Sequence, residues 1–319
     1  MRVLKLIGKI LFGIIASIVV LLLVCLVGLN VAKFAIYSDY YSMREALCIN
    51  PGCNDGFVHQ GVALVDGTDK VIISGYMMDK TNSRLYVTDS SNDSYYVNLT
   101  RNNKVYTGHA GGVAVSGDFI YIANGSKIYK FSLNDVLNAK NGDTIEIGSG
   151  IEVNNNASFV YADEEYLYVG EFNYGDSYEC SHPYQTNEGL HEAIVTKYSL
   201  DDLSTPLKIY SIRDKVQGIA FTKDGKVVMS TSYGVSSSVY YIYNEAEAVD
   251  SGEMLDGAKV YYLDNVVKTF NGPAMGEDLD VDSDGKIVTL TESASNKYIF
   301  GKLFFANKIV SLDINELFE

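Results

Sequence analysis

The chain has 319 residues, a formal net charge of −15 and no tryptophan, and it is rich in tyrosine (25) and glycine (28) but contains only 4 prolines. This length suffices to bury a large core without help from disulfides or metals, and tyrosine-rich segments broken by Gly, Asn, Asp and Ser indicate an all-β protein with many tight turns. The acidic balance repels phosphate backbones and therefore excludes nucleic acid as an expected partner.

The N-terminal segment has the composition of a membrane anchor. Arg2, Lys5 and Lys9 precede an uncharged run over 10–29, which as a helix rising about 1.5 Å per residue spans a hydrocarbon core of roughly 30 Å. The run is longer than the apolar region of a cleavable signal peptide, and no small-x-small cleavage site follows it closely. A retained signal anchor is therefore the prediction, with a cleaved signal as the alternative.

The three basic residues before the run predict a cytoplasmic N-terminus. We accordingly divide the sequence into a basic cytoplasmic segment over 1–9, a transmembrane signal anchor over 10–32, a juxtamembrane tether over 33–45 and an extracytoplasmic domain over 46–319. The expected protein crosses the cell membrane once, with residues 10–32 in the lipid bilayer. Without the three basic residues, 22 Lys and Arg face 40 Asp and Glu, a net charge of −18. That charge is compatible with cations or with neutral, sugar-like ligands, and it also keeps an exported domain soluble.

Three cysteines lie beyond the anchor. Cys48 and Cys53 flank a Pro-Gly turn and could form a small disulfide in an oxidising compartment. Cys180 would then be unpaired, which weakens the argument for a disulfide framework. No two of the three are spaced like zinc ligands, and the chain has only 4 histidines.

The domain over 46–319 contains an internal repeat. Five segments share a polar-glycine entry, a short apolar strand, an acidic turn and a second strand. The first strands are Gln60–Val65, Gly111–Ser116, Ala157–Ala162, Gln217–Thr222 and Glu277–Asp282. Repeats of about 40–50 residues with four strands each are typical of β-propellers, and loop insertions account for the longer spacings.

The last repeat lacks a fourth strand. Fourth-strand candidates begin at Tyr95, Thr144, Leu207 and Val266 in the other repeats, but only a short C-terminal tail follows the third strand near Lys308. The segment over 47–49 precedes the first repeat at the distance of a fourth strand. We therefore predict that an N-terminal strand completes the last blade and closes the ring, which removes exposed edges. Five four-stranded blades are expected. Six is the alternative, because the insertions over 173–189 and 244–259 could contain further strands.

The entries to the first strands and the loops between second and third strands lie on one face of such a propeller, where the axis supplies a concavity. The insertion over 173–191 would overhang this face like a lid. Ten side chains are predicted to form a ligand-binding site there: Gln60, His109, Asn156, Glu171, Tyr174, Gln217, Tyr233, Glu277, Asp278 and Glu292.

Each of these residues also has a structural interpretation. Gln60 and Gln217 precede glycine in the same register, which favours a repeated hydrogen bond between blades. His109 is the sharpest candidate for ligand contact or proton transfer, although a hydrogen bond between blades explains it equally well. A hard cation such as Ca²⁺ near the axis would take its ligands from Glu171, Glu277, Asp278 and Glu292. Converging carboxylates are also expected by chance in so acidic a chain.

One metal motif is excluded by its spacing. The segment over 280–285 imitates the start of an EF-hand loop, but Thr291 occupies the twelfth position, where a bidentate glutamate is needed. No residue is therefore assigned as a metal ligand, and the cofactor remains open.

Several short motifs carry a resemblance to known proteins. The chain resembles an uncharacterised family of bacterial exported or membrane-anchored β-propellers, with motifs over most of 46–319: Phe57–Gly61, Thr107–Gly112, Val169–Phe172, Lys215–Ala220 and Ser232–Gly234. More distantly, it is similar to the six-bladed lactonase, paraoxonase and strictosidine-synthase-like propellers. Those proteins use an axial Ca²⁺ or a central pocket for hydrolysis or condensation. Their metal-ligand pattern does not match this sequence residue by residue, so the resemblance implies no catalytic residue.

Two functions remain open from the sequence. The first is a binding module whose polar face takes a small molecule, a glycan or an envelope protein. The second is a lactonase-like hydrolase in which an axial Ca²⁺ polarises a carbonyl group and His109 or Glu171 acts as the base. No nucleophile elbow, phosphate loop or dinucleotide-binding motif occurs in the sequence.

Overall fold

The computed structural model describes residues 2–319, with side chains from Lys5 onward. Met1 and the side chain of Arg2, both in the predicted cytoplasmic segment, lie outside the described residues. The chain begins with helix α1 (Arg2–Ile36), a short helix α2 (Ser38–Ser42) and strand β1 (Arg44–Ile49). Within the described residues, α1 is the one helix long and apolar enough to cross a membrane, with a mean hydropathy of 3.3 and no part of that stretch buried against the rest of the chain. It could therefore be a transmembrane segment.

The first two blades follow directly. Blade 1 contains β2 (Phe57–Leu64), β3 (Val71–Met77), β4 (Arg84–Thr88), β5 (Ser94–Arg101) and β6 (Lys104–Val105). Blade 2 contains β7 (Gly112–Ser116), β8 (Phe119–Ser132) and β10 (Ile151–Ala157), with α3 (Leu133–Leu137) and β9 (Thr144–Glu146) between the last two. Strand β8 covers both the second and the third predicted strands, and Gly125 in its middle has a φ of +61°, a left-handed conformation that glycine adopts without strain.

The remaining three blades complete the ring. Blade 3 is built from β11 (Phe159–Ala162), β12 (Tyr166–Gly170), β15 (Ala193–Ser199) and β16 (Asp202–Ile212), with the hairpin of β13 (Tyr184–Thr186) and β14 (Gly189–His191) inserted. Blade 4 is built from β17 (Val216–Phe221), β18 (Lys226–Thr231), β19 (Ser238–Asn244) and β22 (Lys268–Gly272), with β20 (Val249–Leu255) and β21 (Ala258–Tyr262) inserted. Blade 5 contains β23 (Gly276–Val281), β24 (Ile287–Thr291) and β25 (Lys308–Leu312). Together, the five sheets confirm the predicted five-bladed propeller.

The N-terminal strand closes the ring as predicted. Strand β1 pairs antiparallel with β25, with Arg44 opposite Leu312 and Ile49 opposite Lys308, and a bulge between Ala46 and Cys48. The segment before β1 is packed as well, since Tyr37, Tyr40 and Met43 are buried in the core cluster shared by blades 3 to 5.

The structure corrects the prediction for one fourth strand. The segment that begins at Thr144 forms β9, which pairs parallel with β5 of blade 1, Asn98 lying opposite Thr144. The fourth strand of blade 2 is β10, which follows a turn containing Gly148 and Gly150 at φ values of +73° and +78°. These left-handed glycines redirect the chain, so β9 joins the neighbouring blade before the chain returns to its own.

The alternative of six blades is wrong. The insertion over 173–189 contains only the first strand of the β13–β14 hairpin, which pairs with β14 alone. The second insertion forms β20 and β21, and β21 pairs parallel with β16, Lys208 lying opposite Lys259. That hairpin extends the outer edge of blade 3 and adds no separate sheet.

Four cysteines are free in the structure, so Cys48 and Cys53 do not form the disulfide considered above. Cys48 is buried within β1, and burial raises the pKa of its thiol to about 12. It therefore acts as an apolar core residue.

The inner strands pack tightly around the axis because glycine occupies the matched position in three blades. A Cβ atom on Gly61 would lie 2.4 Å from the nitrogen of Val113, and one on Gly218 would lie 2.6 Å from the Cα of Asp278. Gly112 is enclosed in the same way by Val160. Only a residue without a side chain permits this approach of neighbouring backbones, so the ring is narrow at the level of these glycines.

Candidate functional site

A cavity of about 520 Å³ opens on the face formed by the strand entries and the loops between second and third strands. The structure brings seven of the ten predicted residues to its wall: Gln60, His109, Asn156, Gln217, Tyr233, Glu277 and Glu292. They come from the starts of inner strands or the segments just before them, with Asn156 at the end of β10 preceding the inner strand of blade 3, and from the loops that follow β18 and β24. The concavity expected at the propeller axis is therefore present.

Two carboxyl groups lie together in this cavity, and we call Glu277 and Glu292 the carboxyl pair. Glu277 is 3% exposed, whereas Glu292 begins the 3₁₀ helix Glu292–Ala294 and is partly open to the cavity. The side-chain amide of Gln60 donates a hydrogen bond of 2.7 Å to Glu292 Oε1, and the hydroxyl of Tyr298 donates one of 2.9 Å to the same oxygen.

The environment of the pair favours its protonated forms. Desolvation raises the pKa of Glu292 to about 7, in spite of the hydrogen bond from Tyr298 and the nearby charge of Lys297. Desolvation and the adjacent charge of Glu292 raise the pKa of Glu277 well above its ordinary value. Both shifts favour the protonated carboxyl, a form that can donate as well as accept hydrogen bonds.

His109 lies at the edge of the cavity against an aromatic ring. Its imidazole packs on Tyr76 with ring centroids 4.6 Å apart, and its backbone N–H donates a 2.6 Å hydrogen bond to Asn124 Oδ1. Desolvation at the cavity edge and the charge of Lys297 lower the pKa of His109 to about 4, although the residue is exposed on one side. The imidazole is therefore neutral at neutral pH and contacts both the cavity and blade 1.

Aromatic side chains form the opposite part of the rim. Tyr174 packs on Tyr233 with centroids 3.9 Å apart, and the ammonium of Lys215 lies 4.8 Å from the Tyr174 ring. Phe172 packs edge-on against Tyr178 at 5.2 Å, and both line the cavity. Of the predicted lid over 173–191, the part around Tyr178 reaches the cavity, whereas Tyr174 packs on Tyr233 and does not line the cavity.

The remaining predicted carboxylates lie elsewhere. Glu171 accepts hydrogen bonds from the backbone N–H groups of Asn156 (3.0 Å) and Ile194 (3.1 Å), and its other contact is His182 Nδ1 at 2.9 Å. That hydrogen bond raises the pKa of His182 above its ordinary value. Glu171 thus fastens the insertion to blades 2 and 3 and does not line the cavity.

Asp278 lies deeper, at the narrow level of the axis. It is fully buried, and its Oδ2 accepts a 3.1 Å hydrogen bond from the N–H of Val113. The four carboxylates proposed as Ca²⁺ ligands are therefore not one ligand set, since only Glu277 and Glu292 share the cavity. In the part of the chain that the structure describes, no group of three or more His, Cys, Asp or Glu side chains is placed to hold a metal ion.

Sequence reasoning missed Lys297 and Tyr298, which lie in the long loop between β24 and β25 and line the cavity. Lys297 donates a hydrogen bond to the hydroxyl of Tyr76, and Tyr298 holds Glu292. The signal that could have identified this loop is its composition, since it combines several aromatic residues with lysines.

These features define a five-bladed β-propeller with a polar cavity on one face, an aromatic rim and an N-terminal apolar helix. No protein-family model matches the sequence, and no curated protein matches it either. The resemblance to exported propellers accordingly stays a prediction.

Several solved structures are similar in fold. An aldose sugar dehydrogenase from Streptomyces coelicolor, solved in its PQQ-bound form, is 13% identical over 77% of this chain and 76% of that chain, with a TM-score of 0.43. A putative oxidoreductase (glucose dehydrogenase) from Thermus thermophilus is 11% identical over 80% of this chain and 96% of that chain, with a TM-score of 0.42. Hydrazine synthase from Kuenenia stuttgartiensis is 12% identical over 72% of this chain, with a TM-score of 0.40, and the match covers 55% of that longer protein.

Proposed function

We propose that the cavity binds a small, uncharged, polyhydroxylated ligand such as a sugar unit, and that the protein is a binding module held at the cell membrane with its propeller outside the cytoplasm. The observation that supports this proposal most directly is the carboxyl pair in an aromatic-rimmed cavity. The proposed orientation follows from the basic residues that precede the apolar run.

The charge of the cavity favours an uncharged ligand. The environment of the carboxyl pair favours its protonated forms, which reduces its negative charge, and the ammonium of Lys297 also lines the cavity near Glu292. His109 is neutral because its pKa is about 4. A phosphate or carboxylate ligand would face Glu277 and Glu292 without a surplus of positive charge, which disfavours it.

The arrangement of groups favours a ligand with many hydroxyls and one apolar side. Gln60, Asn156 and Gln217 supply amide groups that both donate and accept hydrogen bonds. The rings of Tyr178 and Tyr233 offer flat apolar surfaces of the kind that pack against the C–H face of a sugar ring. A volume of about 520 Å³ lies within the range of roughly 300–1,000 Å³ typical of small-molecule sites.

The lactonase-like alternative has less support. Glu171, one of the two bases considered, is engaged by three hydrogen-bond donors away from the cavity. His109 has a pKa of about 4 and is a weak base near neutrality. Among the residues that the structure describes, the geometry does not provide the ligand set that an axial Ca²⁺ would require.

Calorimetric titration of the full-length protein in detergent tests the proposal. Glucose, galactose and N-acetylglucosamine are the neutral probes, and glucuronic acid and glucose 6-phosphate are charged derivatives of glucose. We expect at least one neutral sugar to bind and both charged sugars to bind more weakly than it does. Glu292→Gln replaces an ionisable acceptor, and a buried hydrogen bond of this kind is worth about 1–3 kcal/mol, so the Kd should rise roughly 5- to 150-fold.

Two further variants supply a second test and a control. Tyr233→Ala removes an aromatic wall and should also weaken binding, whereas Glu253→Gln, on an exposed strand of the β20–β21 hairpin, should leave the Kd unchanged. Tighter binding of the charged sugars, or an unchanged Kd in Glu292→Gln, contradicts the proposal.

A further inference from the structure

We propose that the loop over 298–305, which follows the cavity residue Lys297, is a membrane-contact surface, so that the cavity face of the propeller rests against the lipid bilayer. We call residues 298–305 the contact loop. The proposal requires α1 to span the membrane, and it is independent of which ligand the cavity binds.

The contact loop exposes large apolar side chains. Ile299 is 75% exposed and Phe300 is 69% exposed, at the start of the 3₁₀ helix Ile299–Phe304. Leaving two neighbouring side chains of this size in water is unfavourable relative to burying them. Adjacent exposed apolar residues of this kind mark a surface that is covered in the working state of a protein.

The loop is fastened to the end of α1. The amide of Asn30 donates hydrogen bonds to the carbonyl oxygens of Lys302 (3.1 Å) and Leu303 (3.2 Å), and its oxygen accepts one from the N–H of Phe305 (3.0 Å). Lys33 donates a further hydrogen bond to the carbonyl oxygen of Phe305. These bonds fix the contact loop beside one turn of the helix.

That turn of α1 lies at the level of the bilayer surface. The uncharged run over 10–29 fills a hydrocarbon core of roughly 30 Å. Asn30 and Lys33 come immediately after it, within about 6 Å along the helix axis. Phe34 and Ile36, which follow, are at least half exposed. The contact loop is thus held where hydrocarbon gives way to headgroups.

The composition and charge of the loop suit this position. It contains Tyr298, Phe300, Phe304 and Phe305, and aromatic rings concentrate at membrane interfaces. Three basic side chains lie in or next to it, in contrast to the net charge of −15 of the whole chain: Lys33, Lys297 and Lys302. Aromatic and apolar residues with lysines beside them bind the headgroup boundary, and the lysines attract anionic lipids.

A second loop on the same face also meets the anchor. The hydroxyl of Tyr37, just after α1, lies 3.2 Å from the hydroxyl of Ser237 in the loop between β18 and β19. That loop carries Tyr233 on the cavity rim and Val235, which is 58% exposed. The end of α1 therefore contacts the propeller on its cavity face. For this reason we infer that the bilayer, and not another protein, covers this face.

Tryptophan fluorescence tests the inference directly, because the natural chain contains no tryptophan. Phe300→Trp is placed in the full-length protein and reconstituted into vesicles of phosphatidylcholine with a minority of phosphatidylglycerol, with or without bromine on the acyl chains. Phe119→Trp, at the turn between the first two strands of blade 2 on the opposite face, is the matched control. Val20→Trp, within α1, reports whether the anchor is inserted.

We expect brominated lipid to quench most of the emission of Phe300→Trp and of Val20→Trp, and to leave that of Phe119→Trp nearly unchanged. Quenching of Val20→Trp alone overturns the inference, because the anchor would then be inserted while the contact loop stays in water. A blue-shifted Phe300→Trp emission that brominated lipid does not quench also overturns it and identifies a second copy of the chain as the occupant. Absence of quenching in both Phe300→Trp and Val20→Trp overturns the inference as well, because α1 would then not be inserted in the bilayer.

Discussion

Glu292 and Glu277 illustrate how a single residue acquires its chemistry from the fold. A glutamate in water ionises near pH 4.5, but in the cavity desolvation raises the pKa of Glu292 to about 7. The two residues are 15 positions apart in the sequence, at the start of β23 and the end of β24. Pairing between these strands brings them together, so neither residue taken alone indicates a perturbed pKa.

The raised pKa of Glu292 predicts that the free energy of unfolding falls as pH rises. Below about pH 4.5, Glu292 is protonated in the folded and the unfolded state alike. Between about 4.5 and 7, the unfolded chain releases this proton while the folded protein keeps it, so the free energy of unfolding falls as pH rises. The slope reaches at most about 1.4 kcal/mol per pH unit for one proton. We expect the melting temperature of Glu292→Gln to decline less than that of the natural protein between about pH 5 and pH 7.

The difference between the variant and the natural protein is the quantity to measure, because buried histidines act in the opposite direction. Burial lowers the pKa of His59 and His191 to about 4. Each of them therefore adds stability as pH rises from about 4 to 6.5. Those contributions cancel in the comparison, and the exposed Glu253→Gln serves as the control. Parallel pH curves for Glu292→Gln and the natural protein contradict the assignment.

At the scale of elements, the sequence predicts a strand well where the same pattern recurs at the matched position of several repeats. The five inner strands and the closing strand at Cys48 follow from a shared pattern and from the missing fourth strand of the last repeat. The partner of β9 could not be predicted in this way, because a three-residue strand contains too few side chains to specify a sheet. The structural role of Glu171 could not be predicted either, because its hydrogen-bond partners come from three separate segments of the chain. They are Asn156, Ile194 and His182.

The closing strand provides a prediction about stability. A chain that begins at Ser38 retains α2 and β1, whereas a chain that begins at Pro51 lacks both. Loss of β1 uncovers Ile309 and Val310 and removes a row of backbone hydrogen bonds. At about 1 kcal/mol for each hydrogen bond and about 1.5–3 kcal/mol for each large apolar side chain, the shorter chain should lose at least about 3 kcal/mol of stability.

Hydrogen exchange distinguishes the closing strand from other contacts of the N-terminal segment. In the chain that begins at Pro51, which lacks Tyr40 as well as β1, faster exchange should appear in β24 and β25 in addition to β19 and β22. Tyr40 packs on Tyr240 of blade 4, at a centroid distance of 6.3 Å. Its removal alone, by Tyr40→Ala in the chain that begins at Ser38, should instead affect β19 and β22. Equal melting temperatures for the two truncated chains would show that β1 does not stabilise blade 5.

For the whole molecule, the position of α1 determines which molecules can reach the cavity. The inner strands leave little room along the axis, where Gly61, Gly112 and Gly218 allow neighbouring backbones to touch. The wider opening is on the face that carries Tyr298 and Tyr233. Because α1 reaches the propeller at that face, the proposed membrane contact implies that a ligand would arrive through the space between the rim and the bilayer. Such a gap admits small or membrane-bound molecules and excludes bulky soluble ones.

Labelling of single cysteines measures that gap. Ser236→Cys lies on an exposed loop of the cavity face, and Asp118→Cys lies on an exposed turn of the opposite face. The natural cysteines give a low background, since Cys48 and Cys180 are buried and Cys53 is partly so, while Cys25 lies within α1. In vesicles, we expect a small maleimide to label both positions at similar rates, and a large polyethylene-glycol maleimide to label Asp118→Cys much faster than Ser236→Cys. Both rates refer to the outward-facing molecules, so random insertion does not affect their ratio.

In the chain that begins at Ser38, which has no anchor to hold this face against lipid, the two positions should react alike with the large reagent. Equal rates with the large reagent in vesicles would mean that the cavity opens away from the membrane.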